Sequence, residues 1–315
     1  AQYKQHWAFI PPQATKLPTT AGHPIDSIVR KRQTRLGLQH AGQATKLELL
    51  RRVSLDLTGL PPTPSTIASF LADNKPDAYE RQVDKLLAAP SYGERWARKW
   101  MDVARYADTN GSEKDRPRTM WPWRDWVVDA FNRNLPWDQF TTWQLAGDLL
   151  PQATDEQRLA TGFCRNHMIN GEGGRIAAEN RIDYVMDMSE TMGTIWLGLT
   201  FNCCRCHDHK YDALSQKDYY QLFSFFNNTP VDGGGGNPQT PPVLEFSTSE
   251  QLLKKKQLDS SVGKLQSQVE ELENKIFPRE KGKKASDSEA AKDYSKESKD
   301  ILSKPAGSRG KAQLQ

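Results

Sequence analysis

The sequence predicts a mainly α-helical protein: a multi-helix domain, then a helical arm with a coiled-coil-like pattern, then a low-complexity tail. Apolar residues recur at steps of three and four along most of the chain, cap residues and Gly or Pro stops bracket those runs, and alternating strand patterns are nearly absent. At 315 residues, with nine Trp, nine Tyr and eleven Phe, the chain can bury a sizeable core.

Residues 1–23 carry three prolines and little periodicity, which predicts an extended lead-in that docks Trp7 and Phe9 on the body. Asp26 then caps a helical run from Ile28 to Leu36 that Gly37 ends. A second run spans Thr45 to Leu57 with Leu47, Leu50, Val53 and Leu57 on one face, followed by the turn GLPPTP. Short helices fit Ser65–Ala72 and Asp77–Ala88. SYGERWARKWMDVARYAD opens at Ser91 with Glu94 three residues on, a capping-box spacing. Trp96, Trp100, Val103 and Ala107 follow at helical spacing and read as a core-packing stripe, or as rings against a cofactor face.

Further helices fit Trp121–Arg133, Trp137–Leu149, Asp155–Arg165, Ala177–Leu199 and Gln216–Phe226, completing a domain over 24–230. VDGGGGNPQTPP opens a flexible Gly/Pro linker, 231–247, and marks the domain boundary. Over 248–278 an arm carries Leu258, Val262, Leu265, Val269, Leu272 and Ile276 with heptad steps, short for an independent coiled coil. Beyond Pro278, residues 279–315 have almost no apolar content and predict disorder or marginal helix.

The 43 basic and 39 acidic residues are intermixed for a net charge of +4, so charge does not point to nucleic acid. No run approaches the ~18 apolar residues of a membrane helix. The start AQYKQHWAFIPPQ lacks the basic and apolar parts of a signal peptide, so export would need a segment outside these residues.

Three of the four cysteines and two of the six histidines fall between Cys203 and His209 in FNCCRCHDHKYD. Clustering argues against a disulfide framework. Cys203, Cys206 and His207 satisfy C-x-x-C-H. Covalent haem needs two thiols about one turn apart for its vinyl groups, and a histidine directly after the second to reach the iron. Zinc is the chief rival, with Cys203, Cys204, Cys206, His207 and His209 as donors, although structural zinc sites usually use two separated knuckles. An inert cysteine-rich turn is the third reading.

The blocks LLRRVSLDLTGLPPTP, YGERWARKWMDVARYADTNG, RPRTMWPWRDWVVDAFNRNLPWDQF, QLAGDLLP, RNHMINGEGG, WLGLTFNCCRCHDHKYD and DYYQLFSFFNN resemble the planctomycete-type cytochrome family, in particular its DUF1549 domain, also called PSCyt2. They cover roughly 24–229. The resemblance implies a covalent haem c on Cys203 and Cys206 with His207 as proximal iron ligand, matured outside the cytoplasmic membrane in a periplasmic or cell-surface setting. It also implies a piece of a larger protein, since this domain commonly follows a cytochrome-c-like domain and precedes a DUF1553 domain. Ala213 departs from the family, which usually has Pro after the Tyr-Asp pair, and puts the stiffness of that loop in question.

For the other face of the iron, His167 and Met168 in RNHMINGEGG are the leading ligands by type, with Met186, Met188 and Met192 behind them. A capping or hydrogen-bonded histidine is the bland reading of His167. His209, Lys210 and Asp208 could pair with haem propionates or orient the ligand histidine. Arg181, Asp183 and Asp187 form either an ion-pair face or an acid/base group near an open iron. Asp108, Asn110, Glu113 and Asp115 faintly resemble a calcium loop but depart from the EF-hand order, and an Asx-type turn is preferred. Arg116 and Arg118 with Trp121 and Trp123 could line a sugar or anion site.

Three functions follow: an extracytoplasmic c-type cytochrome module passing electrons to a redox partner or neighbouring domain; a haem enzyme acting on peroxide or carbohydrate through an open iron; and a zinc-stabilised helical binding module.

Overall fold

The computed structural model describes residues 5–13, 23–234, 239–245, 247–280, 282–305 and 308–309. Among them the chain is built of α-helices and short 3-10 turns, with no strand and a single isolated bridge, Thr109 to Pro117. It forms two compact units, Ala1–Leu244 and Glu245–Gln315.

In the first unit the helices are α1 (Pro24–Arg35), α2 (Lys46–Thr58), α3 (Pro64–Ala72), α4 (Ala78–Leu87), α5 (Pro90–Val103), α6 (Trp121–Asn132), α7 (Trp137–Ala146), α8 (Asp155–Ala160), α9 (Ala177–Met192) and α10 (Gln216–Phe226). α2 begins at a complete capping box, Thr45 with Glu48, and ends at Gly59 in the left-handed region, φ 71°, where a side chain would be strained. α1 starts before Asp26: His23 caps it through Nδ1 and Pro24 takes its first turn. α5 likewise starts at Pro90, with no side-chain cap. Proline's fixed φ sets the start of each helix, which leaves Ser91 inside the first turn of α5 and without its expected capping role.

α5 and α6 pack on each other around Trp100, Trp123, Trp126, Phe140 and Phe163, all buried. Trp100 meets Trp137, Phe140 and Trp196 edge to face, and its Nε1–H donates to the buried Gln144 Oε1 at 2.8 Å. The indole therefore enters the core with its polar atom paired. Val103, expected on the same stripe, is 49% exposed, because the helix ends there and Arg105 turns at φ 59°. A second cluster, Tyr184, Val185, Met188, Phe226 and Val231, joins α9 to α10.

Three expectations are corrected. Trp7 is 81% exposed on a short 3-10 turn and does not dock. The described parts of the glycine-rich stretch are fastened, not loose. Asn180 Nδ2 donates to Gly233 O at 3.1 Å, Asp232 N to Pro241 O at 3.2 Å, and Arg165 Nη2 to Thr240 O at 2.7 Å; residues 235–238 lie outside the described residues. The second unit is ordered beyond its long helix α11 (Ser249–Ile276) through two 3-10 turns and α12 (Lys296–Leu302). Phe277, Ala285 and Ala291 make a small core there, Tyr294 meets Phe277 edge to face, and Arg279 and Arg309 both pair with Glu273. One aromatic pair and one buried carboxylate thus organise a segment that composition marks as polar. The heptad residues Leu258 to Ile276 on α11 are 44–62% exposed.

Candidate functional site

The C-x-x-C-H segment follows α9. That helix runs into a π-turn, Gly193–Leu197, then Gly198 in the left-handed region at φ 65°, then a 3-10 turn, Phe201–Arg205. A Cβ on Gly193 would lie 2.7 Å from the Phe201 ring, so the ring packs flat on helix backbone and fixes the turn.

The 3-10 turn ends at Arg205, with Cys206 as its C-cap. Cys203 and Cys206 are both exposed, whereas Cys204 between them is fully buried against Phe201 and Tyr219. Cys204 Sγ lies 3.6 Å from Leu214 O, and burial pushes its thiol pKa up. Cys204 is therefore a core residue turned away from the other two thiols, and the five donors of the zinc reading do not converge. Among the described residues no group of three or more His, Cys, Asp or Glu is gathered to hold a metal ion.

Arg205 anchors the turn. Its Nε and Nη2 donate to Glu190 Oε1 at 3.1 and 2.9 Å, and Tyr219 Oη donates to the same oxygen at 2.8 Å. Its carbonyl accepts from Gln216 Nε2 at 3.2 Å and Tyr220 Oη at 3.1 Å. Burial and the Glu190 carboxylate both raise the Tyr219 pKa, keeping it a donor. Sequence reading missed Glu190, Gln216 and Tyr219, because partners across two helices leave no local spacing signal.

His207 is exposed, and its Nδ1 lies 2.7 Å from Asp208 O. With Nδ1–H donating to that carbonyl, Nε2 keeps its lone pair, the usual state of a metal-ligating imidazole. His209 instead closes the loop: its Nδ1 accepts from Asp212 N at 2.8 Å and Tyr211 N at 3.2 Å, while its backbone N–H donates to Leu214 O at 2.8 Å. These bonds hold the loop around Ala213 without a proline. Lys210 Nζ sits 5.2 Å from the Tyr211 ring centroid, and Asp208 accepts from Gln216 N at 2.8 Å.

The other candidates are dispersed. His167 is 1% exposed, stacks on Tyr184 at 4.3 Å and uses Nδ1 on Met168 O at 2.9 Å; none of these partners belongs to 201–212. Burial depresses its pKa to about 3, so it is neutral. Met168 is 61% exposed. Met186 packs beside the Cys204 cluster, and Met188 and Met192 belong to the α9–α10 core.

Arg181 holds Asn227 and Thr229 at the end of α10, Asp183 is exposed, and Asp187 pairs with Arg105 at 2.5 Å. They do not form the expected i, i+4 face. Burial raises the Asp187 pKa against the pull of Arg105. In the 108–115 loop, Asp115 accepts from Gly111 N at 2.9 Å, Asp108 accepts from Tyr106 Oη, and Asn110 is buried. Arg118 and Trp123 are buried while Trp121 is exposed, so they do not share one open wall.

A mainly helical domain thus carries two exposed thiols, Cys203 and Cys206, and an exposed His207 at and just after a short 3-10 turn. Residues 24–231 match the family PSCyt2, described as a protein of unknown function (DUF1549), and the chain belongs to that family. No curated protein and no solved structure matches it.

Proposed function

We propose that this domain is a c-type cytochrome module that binds one haem covalently through Cys203 and Cys206, with His207 as an iron ligand, and passes electrons within a larger oxidoreductase. The observation that carries the reading is the exposure of these two thiols, Cys203 in the short turn and Cys206 at its end, while Cys204 between them is sunk in the core. The Nδ1 bond of His207 to Asp208 O leaves Nε2 as a lone-pair donor of the type iron takes. The family name, PSCyt2, agrees. Cys203 and Cys206 would hold the group through thioether links to its vinyl carbons, and His207 would offer its ring nitrogen to the iron. A bound haem would supply a one-electron iron couple. The protein's own part is to hold the thiols and imidazole in place through Arg205, Glu190 and Tyr219. Attachment of this kind belongs outside the cytoplasmic membrane; no described helix is long and apolar enough to cross one.

Co-production with c-haem maturation machinery and a pyridine haemochrome spectrum test the reading. One covalent haem per chain held by two thioether bonds is expected, reduced to a single thioether on Cys203→Ala or Cys206→Ala and not attached when both are replaced. Cys204→Ala should keep it, at a stability cost of about 1 kcal/mol for the small cavity left. Wild-type protein without covalent haem would overturn the proposal.

A further inference from the structure

Along α11, Leu258, Val262, Leu265, Val269, Leu272 and Ile276 recur at alternating steps of four and three. This is a heptad repeat with Val262, Val269 and Ile276 at its a positions and Leu258, Leu265 and Leu272 at its d positions. The stripe runs about 27 Å along the helix. All six residues are 44–62% exposed, so they form one continuous apolar seam, the kind of surface that a partner covers.

Among the described residues of the second unit, no element covers it. The unit's small core gathers past the seam on Phe277, Ala285 and Ala291. α12 has seven residues, about 10 Å of helix, too short to follow the stripe. Glu273, at the e position beside the seam, is taken up by Arg279 and Arg309. The tail therefore packs on one flank, and Leu272 and Ile276 stay 58% and 62% exposed beside it.

Two features of the seam say what covers it. A β-branched residue at every a position with leucine at every d position selects two parallel strands, whereas trimers and tetramers favour other choices there. The flanking charges agree. In a parallel, in-register pair each g residue faces the e residue five positions on in the other copy. That sets Lys254 against Asp259, Ser261 against Gln266 and Gln268 against Glu273. The first is an opposite-charge contact, formed twice by symmetry, and none of the three joins like charges. Reversing one helix loses that contact and brings Asp259 of one copy beside Glu273 of the other. The a position before Leu258 is Lys255, which Glu245 holds at 3.0 Å, so the seam begins at Leu258.

We propose that α11 is a dimerisation helix: it pairs with α11 of a second copy of this chain as a parallel, in-register, two-stranded coiled coil over Leu258–Ile276. About two and a half heptads make a small interface, so the dimer forms at micromolar rather than nanomolar concentration. The proposal does not depend on haem.

Sedimentation equilibrium of the intact chain in reducing buffer, from about 5 μM to about 1 mM, measures the association. Wild type should pass from monomer to dimer across that range. The double variant Leu265→Glu/Val269→Glu should stay monomeric. Both residues are exposed in the single chain, and an unchanged near-ultraviolet circular dichroism spectrum checks that the variant folds. Lys254→Asp should weaken dimerisation about three- to tenfold, and adding Asp259→Lys should restore it. Val262→Cys, in a chain whose exposed thiols are removed by Cys203→Ser and Cys206→Ser, tests orientation. With oxidised glutathione it should give a disulfide-linked dimer, because a parallel in-register pair brings the two copies of position 262 together, whereas a reversed pair sets each against Leu272. A chain that stays monomeric to about 1 mM would leave the seam to a helix of another protein or segment and overturn the proposal. So would trimers or tetramers, a Leu265→Glu/Val269→Glu variant that dimerises like wild type, a charge exchange that restores nothing, or a Val262→Cys chain that does not link.

Discussion

Three thiols within four residues meet three environments, and environment rather than sequence distance separates their roles. Cys203 and Cys206 are exposed and Cys204 is buried. Spacing alone identifies Cys203, Cys206 and His207 as a set. It cannot show that Cys204 is part of the core, because that depends on its packing with Phe201 and Tyr219. His167 shows the same limit: its residue type suggests an iron ligand, but the ring lies buried on Tyr184. Its pKa, depressed from 6.5 to about 3, carries a stability consequence. Between these values the unfolded chain holds a proton that the folded one does not, so stability rises with pH across that window and falls on acidification. In ligand-free buffer, wild type should lose about 1.4 kcal/mol per pH unit more than His167→Phe between pH 6 and 4. Denaturant titrations measure this, and parallel pH curves for the two proteins would refute the assignment.

At the scale of elements, helix positions were legible and their ends less so. Thr45 and Glu48 form a capping box not singled out from the sequence, whereas Ser91 and Glu94, where that spacing is expected to cap, lack the role, since Pro90 already begins the helix. The glycine-rich stretch misleads for a related reason: composition suggests slack where glycine in fact permits contact. A Cβ on Gly233 would lie 1.9 Å from Ala177 O and 2.6 Å from Arg181 N, both backbone atoms of α9 that cannot swing aside. Gly233→Ala should therefore destabilise the first unit by about 1–3 kcal/mol, the usual cost of overpacking. Equal unfolding midpoints for variant and wild type would show that the segment is not held against α9.

At the scale of the molecule, the two units rest on very different cores. The first buries an aromatic cluster around Trp100 and further clusters on α9, α10 and α2. The second has Phe277, Ala285 and Ala291, with Leu302 against them, and a helix whose heptad face is uncovered among the described residues. A core of that size supplies little stability without added staples, and the Glu273 ion pairs do not replace buried apolar area. Local opening follows local burial, so the second unit should open far more often than the first. Limited proteolysis of the native chain should cut first within 245–315 and leave a resistant fragment containing 24–231, identified by mass spectrometry. That fragment should keep the near-ultraviolet circular dichroism of Trp100 and its neighbours, because among the described residues the members of their core cluster lie before Leu244. First cuts inside 24–231, or loss of that signal on trimming, would mean that the two units are stabilised together.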